Sequence, residues 1–302
     1  MSDSLCGSVF DLVGNTPLVR LARIPEAGGA EVLAKLEAKN PAGSVKDRPA
    51  RAMILAAEQE GKLRAGATIV EATSGNTGIS LAMLCAVRGY RCMLAMPEDM
   101  STARQAILRT YGADLVLTPA PNGMRGAVEE AERILARTKG AWMPRQFQNP
   151  NNPRVHEETT AVEIWQQTSG KLDAFVAGVG TGGTVTGVAR GLRARGCKLV
   201  VHAVEPKGSA VLSGGAPGLH AIQGLGAGFV PDVLDRSLID QVITVSDVDA
   251  ERMTARLARE EGLYVGPSSG ANVHAAVKVA SRMQPGQRVV TILCDTGERY
   301  QV

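Results

Sequence analysis

Short β-prone apolar runs alternate along the chain with segments whose apolar positions recur at helical spacing. Thr68 to Ala72, Arg91 to Met96 and Asp114 to Thr118 read as strands, with helices over Ile79 to Arg88 and Ser101 to Tyr111 between them. A second series opens with a long helix from Pro153 to Thr168. It continues through strand Ala174 to Val179, helix Val185 to Arg195 and strand Lys198 to Val204. After a glycine-rich stretch, Gly214 to Gly228, come strand Val242 to Val245, helices Ala250 to Glu261 and Ala271 to Met283, and strand Arg288 to Leu293. Strand, glycine loop and helix in repetition predict an α/β protein with mainly parallel sheets flanked by helices. The cluster Gln148-Asn149-Pro150-Asn151-Asn152-Pro153 favours turns and disfavours helix before each proline, so a lobe boundary is expected there.

Composition narrows the function without choosing it. The chain has 302 residues, 44% of them hydrophobic and 21% charged, which is ordinary for a folded globular protein. Its net charge of +3 comes with no basic run, and aromatic residues make up only 3%, so neither a phosphate-tracking surface nor a base-stacking platform is expected. Nucleic acid is therefore excluded as a partner. No run approaches the ~20 apolar residues of a membrane helix, and the start, Met1-Ser2-Asp3-Ser4-Leu5-Cys6, lacks a leader pattern, so a cytoplasmic protein is expected. Five cysteines without a C-x-x-C pair read as reduced thiols, mostly in the core, and the four histidines have no metal-ligand spacing. No metal is expected.

Four segments can carry chemistry. In Asn40-Pro41-Ala42-Gly43-Ser44-Val45-Lys46-Asp47-Arg48, Ser44 and Asp47 have capping-box spacing for a helix running on through Met53 and Ala57. Lys46 would then lie in the first helical turn, where the positive end of the helix dipole favours the neutral amine, the form that makes Schiff bases. An isolated lysine, by contrast, is ordinarily a solvated one. Glu71-Ala72-Thr73-Ser74-Gly75-Asn76-Thr77-Gly78 joins a strand to a helix, and its N-H groups suit an anion such as a carboxylate; a plain capped turn is the alternative. Gly180-Thr181-Gly182-Gly183-Thr184, again between strand and helix, reads as a phosphate cup without a P-loop lysine. It also mimics a dinucleotide loop, with Glu205 at a distance suited to a ribose hydroxyl. Gly266-Pro267-Ser268-Ser269-Gly270, taken alone, is a turn with a serine N-cap.

Taken together and in order, Asn15-Thr16-Pro17-Leu18 and these four segments resemble the cysteine synthases (O-acetylserine sulfhydrylases), within the cysteine synthase and cystathionine β-synthase family of pyridoxal-phosphate enzymes. The likeness spans nearly the whole chain. It implies a two-lobed fold type II enzyme, each lobe a mainly parallel twisted sheet: residues 1–40 with 151–302 as the larger, cofactor-binding lobe, and 41–150 as the smaller, mobile lobe. It implies pyridoxal 5'-phosphate held by Lys46 as internal aldimine, Asn76 on the phenolic oxygen, Gly180, Thr181, Gly182, Gly183 and Thr184 on the phosphate, and Ser268 at the pyridine nitrogen. A neutral hydroxyl there would favour β-elimination over transamination. Thr73, Ser74, Gly75 and Thr77, with Gln146, would grip the substrate α-carboxylate as the smaller lobe closes.

The implied reaction is ping-pong β-replacement: O-acetylserine loses acetate to leave α-aminoacrylate, and sulfide adds to give cysteine, with Lys46 moving the α-proton. Within the family the signals divide. Glu71-Ala72-Thr73 and Cys294-Asp295-Thr296-Gly297-Glu298-Arg299-Tyr300 look like the second, thiosulfate-accepting type; Ala221 to Phe229 looks like the sulfide-using first type, and the basic segment of the second type is missing near Gly214 to Gln223. A short cystathionine β-synthase is the other alternative. The resemblance also implies a homodimer and makes serine acetyltransferase a candidate partner.

Overall fold

The computed structural model describes residues 5–300, so the leader reading at residues 1–4 and the last two residues lie outside it. In chain order the elements are β1 (Leu18–Arg20), β2 (Glu31–Leu36), α1 (Asp47–Gln59), β3 (Thr68–Ala72), α2 (Asn76–Arg88), β4 (Arg91–Pro97), α3 (Thr102–Thr110), β5 (Asp114–Thr118) and α4 (Gly123–Arg137). Then follow α5 (Asn151–Val155), α6 (Ala161–Gln167), β6 (Ala174–Gly178), α7 (Gly183–Ala194), β7 (Val200–Pro206), β8 (Gln241–Val245), α8 (Asp247–Glu261), α9 (Pro267–Ala280) and β9 (Arg288–Leu293). They form two compact units, Met1–Val13 with Lys46–Asn151, and Gly14–Val45 with Asn152–Val302.

In the first unit β3, β4 and β5 make a parallel sheet in that order. Alternation along the strands sends Val70 and Ala95 to one face, where they pack with Ala127, Ala131 and Ile134 of α4. Leu94 points to the other face, against α2, where it lies 3.2 Å from the position a Cβ would take at Gly78. The free edge of β3 is covered by Trp142, whose backbone exchanges hydrogen bonds with Thr68 and Val70.

The second unit holds a six-stranded sheet in the order β1-β2-β9-β6-β7-β8, antiparallel only between β1 and β2. Its central strands are buried on both faces, which is why they read as continuous apolar runs. Val176, Val204 and Val289 pack towards α8 and α9, while Phe175, Val201 and Ile292 pack towards α6 and α7. Asn15 and Thr16 serve this architecture: their N–H groups donate to the Glu163 carboxylate, which also pairs with the fully buried Lys35 at 2.7 Å.

Three local expectations change. The long helix expected from Pro153 to Thr168 is interrupted at His156–Thr160 by a π-helical turn. Opposite it, on α7, Gly183, Gly187 and Gly191 let the helices approach until a Cβ at Gly187 would sit 2.0 Å from the Pro153 carbonyl oxygen. Second, α1 starts at Asp47 with Lys46 as its N-cap residue, not at Ser44. Ser44 also bridges to Asp295 through the backbone, and the Asp47 carboxylate accepts from Ser80 Oγ at 2.5 Å. Third, of the cysteines only Cys85 and Cys92 are fully buried; Cys6 is exposed, and none of the five forms a disulfide. Among the described residues no helix is long and apolar enough to cross a membrane, and no cluster is set to hold a metal ion.

Candidate functional site

In the first unit, Lys46 is half-buried at the mouth of α1, beside the buried Asp47 and Arg48. The segment after β3 runs into α2, whose N-cap is Gly75 and whose first two residues are Asn76 and Thr77. Thr73 Oγ1 accepts the Gly75 N–H at 3.3 Å, and the Ser74 hydroxyl contacts the Met124 sulfur at 4.0 Å. Thr77 Oγ1 donates to Gln146 Oε1 at 2.6 Å, so Gln146, 69 residues further on, joins the same cluster. The backbone N–H groups of Ser74 and Thr77 meet no acceptor among the described residues. A helix N-terminus with such donors takes a carboxylate without needing a cation.

Beneath this cluster lies a residue the sequence left without a role. Glu71 is 6% exposed, and its carboxylate accepts the Ala72 N–H at 3.1 Å and the Arg145 N–H at 3.0 Å. Burial pushes its carboxyl up to about 7, opposed by the N–H groups of Ala72, Arg145 and Gln146 and by the Arg145 charge.

In the second unit the loop after β6 is shaped by close backbone approaches. A Cβ at Gly180 would lie 2.2 Å from the Gly224 carbonyl oxygen, and one at Gly183 would lie 1.9 Å from Asn152 Oδ1. Gly182, the α7 N-cap, has φ +82°, the left-handed region open to glycine. Asn152 Nδ2 and the Gly183 N–H both donate to Thr181 Oγ1, at 3.0 and 3.3 Å. His156, fully buried in the π-helical turn, bridges Thr160 at 2.9 Å and Thr184 at 3.3 Å. The N–H groups of Gly180, Thr181, Gly182 and Thr184 meet no acceptor among the described residues. Donors gathered at a helix N-terminus, with hydroxyls and no cation, fit a phosphate group.

Ser268 stands in the first turn of α9, 3% exposed, with its Oγ 3.8 Å from the position a Cβ would take at Gly224. The same glycine therefore borders both Ser268 and the Gly180–Thr184 loop. The α9 N-cap is Gly266, which replaces the serine cap expected from the sequence; Ser269 Oγ instead accepts the Cys294 N–H at 2.8 Å. The dinucleotide alternative fails at Glu205. Its carboxylate is 2% exposed and already accepts from Leu212 N, Ser213 N and Ser213 Oγ, so it is spent on the chain's own turn.

Asn152 and His156 are the loop-bracing residues that sequence reasoning missed. Asn152 was legible only as a turn former beside proline. His156 has no spacing partner, because Thr184 is brought to it by the packing of α7.

A family model described as "Pyridoxal-phosphate dependent enzyme" matches residues 9–295. The chain belongs to that family. It is 48% identical to a cysteine synthase of Staphylococcus aureus over 99% of this chain and 97% of that one. Among solved structures, an O-ureido-L-serine synthase is 45% identical with a TM-score of 0.95, covering 98% of this chain and 94% of its own. A cysteine synthase of Entamoeba histolytica is 40% identical with a TM-score of 0.95, covering 99% and 90%. As in these pyridoxal-phosphate enzymes, the fold is α/β with mainly parallel sheets flanked by helices, of fold type II. The donor set of the Gly180–Thr184 loop suits the phosphate of that cofactor.

Proposed function

We propose that the chain is a cysteine synthase, which replaces the acetoxy group of O-acetylserine with sulfide to give cysteine and acetate. The observation that carries this reading is the whole-chain likeness to a cysteine synthase, with every chemical segment present in order. Bound pyridoxal phosphate supplies the electron sink for charge that develops at Cα.

In this reading Lys46 anchors the cofactor, removes the α-proton and later returns it at the same carbon. Asn76 bonds the phenolic oxygen of the cofactor. Gly180, Thr181, Gly182, Gly183 and Thr184 hold its phosphate with neutral donors, and Ser268 meets its ring nitrogen as a hydroxyl that does not force protonation there. Thr73, Ser74, Gly75, Thr77 and Gln146 orient the substrate by its α-carboxylate. The Cβ–O bond breaks with acetate leaving, and a Cβ–S bond takes its place. The unit of Gly14–Val45 with Asn152–Val302 acts as the cofactor lobe, and the unit that holds Lys46–Asn151 as the substrate lobe. The same reading makes the protein a cytoplasmic homodimer, with serine acetyltransferase as the partner to test.

The test is product analysis. Purified holoenzyme given O-acetylserine is expected to form cysteine with sulfide, faster than S-sulfocysteine with thiosulfate. The likeness to an O-ureido-L-serine synthase is the reason to screen further nucleophiles in the same assay. Cystathionine formed from serine and homocysteine at a higher rate than cysteine would overturn the reading.

A further inference from the structure

Glu71 occupies a point where two chain segments meet. One carboxylate oxygen accepts the N–H of Ala72, the residue before Thr73; the other accepts the N–H of Arg145, the residue before Gln146. Arg145 is one of three non-glycine residues with positive φ among the described residues, at 55°, a conformation that needs outside support. Its carbonyl accepts the Gln148 and Asn149 N–H groups at 2.9 Å, and its guanidinium grips Glu132 of α4 at 2.6 and 2.9 Å. The loop is closed on the far side by the Thr77–Gln146 hydrogen bond.

We infer that Glu71 is a positioning residue, which fixes Gln146 against the Thr73–Thr77 segment and thereby sets affinity for the substrate carboxylate. This rests on the reading that those residues hold that carboxylate. An ionised carboxylate can accept both N–H groups, whereas a protonated one turns an O–H towards one of the donors and loses that bond. With its carboxyl raised to about 7 by burial, Glu71 passes between these states near neutral pH. Helix α4, which packs on β3, carries Arg125, Glu129, Glu130, Arg133 and Arg137 besides Glu132, but the charge that acts on Glu71 is that of Arg145. Arg145 is the nearest, with Glu132 behind it; β4 carries none from Cys92 to Pro97, α2 none before Arg88, and α1 offers Asp47, bonded to Ser80, and the buried Arg48.

The experiment titrates holoenzyme with L-alanine and, separately, with ethylamine, following the absorbance of bound cofactor. Both amines must lose a proton to bind, so the ratio of their dissociation constants isolates the carboxylate's contribution. In the wild type the preference for L-alanine should fall several-fold from pH 8 to pH 6, with a midpoint near 7. In Glu71→Gln it should be about tenfold lower at pH 8, the factor that ~1.4 kcal/mol represents, and flat with pH. A flat wild-type ratio, or a Glu71→Gln ratio equal to the wild type at pH 8, overturns the inference. Should the variant fail to fold, the wild-type pH profile alone decides. A wild type that takes up no cofactor or ignores L-alanine fails differently: it removes the reading of the site, and this inference with it.

Discussion

Two strand-to-helix turns, which the proposed function makes anion cups, are built on the same plan, a parallel strand leading through small residues into a helix, yet they are held in opposite ways. At Gly180–Thr184 the backbone is wedged: Cβ atoms at Gly180 and Gly183 would collide with Gly224 and Asn152, and the bracing side chains Asn152 and His156 hydrogen-bond to its hydroxyls. At Thr73–Thr77 the backbone has room, with nothing within 4 Å of a Cβ placed on Gly75, and the shape depends on hydrogen bonds from Thr77 to Gln146 and from Ala72 and Arg145 to Glu71. A cup fixed by packing suits a group that stays bound. One fixed by hydrogen bonds, including one to a titrating carboxyl, suits a group that arrives and leaves in each turnover.

Breaking the wedged cup should have the largest effect. Gly180→Ala is expected to cost about 2–3 kcal/mol of stability, by overpacking against backbone that cannot move aside, and to abolish the visible absorbance of bound cofactor. Thermal unfolding and the absorption spectrum check both; a variant with normal Tm and full cofactor content would show that the loop is slack. Next, Thr77→Val removes the 2.6 Å bond to Gln146 and should raise KM for O-acetylserine about tenfold, kcat changing far less and cofactor content not at all. Steady-state kinetics separate these, and an unchanged KM contradicts the role given to that bond.

A smaller effect follows from the sign of the Glu71 shift. Its carboxyl is raised from 4.5 to about 7 in the folded chain, so folding takes up a proton between those values and the wild type loses stability as pH rises through that window. The Tm of Glu71→Gln relative to the wild type should therefore move in the variant's favour from pH 5 to pH 8. The smallest change in stability belongs to Gly75→Ala. With open space and φ −108°, the fold should tolerate it within about 0.5 kcal/mol, while amino-acid binding weakens; a large fall in Tm would make the two cups alike after all.

The comparison also explains what the sequence made legible. Strands such as Thr68–Ala72 and Arg288–Leu293 stood out because both faces are buried and the runs are continuous. Helices α2, α7 and α9 begin earlier than their apolar periodicity, at Asn76, Gly183 and Pro267, because their first turns are made of small and polar residues that are buried without an apolar pattern. Helix α4 left little trace, since its buried face is Gly126, Ala127, Ala131 and Ile134, mostly small side chains. Strand β2 was hidden by the buried charge of Lys35 within it. The candidate site was legible as segments, through glycine and hydroxyl patterns beside helices. Its supports, Glu71, Asn152 and His156, were not, because each acts on a partner distant in sequence, as Glu71 does on Arg145 across 74 residues.

The central claim is that Lys46 carries the cofactor. Reducing the yellow holoenzyme with borohydride, digesting it and reading the peptides by mass spectrometry tests this directly. The account predicts the cofactor's mass fixed to Lys46 in the peptide spanning the start of α1. Attachment to another lysine, or a wild-type protein that gains no cofactor mass at any residue, would contradict it.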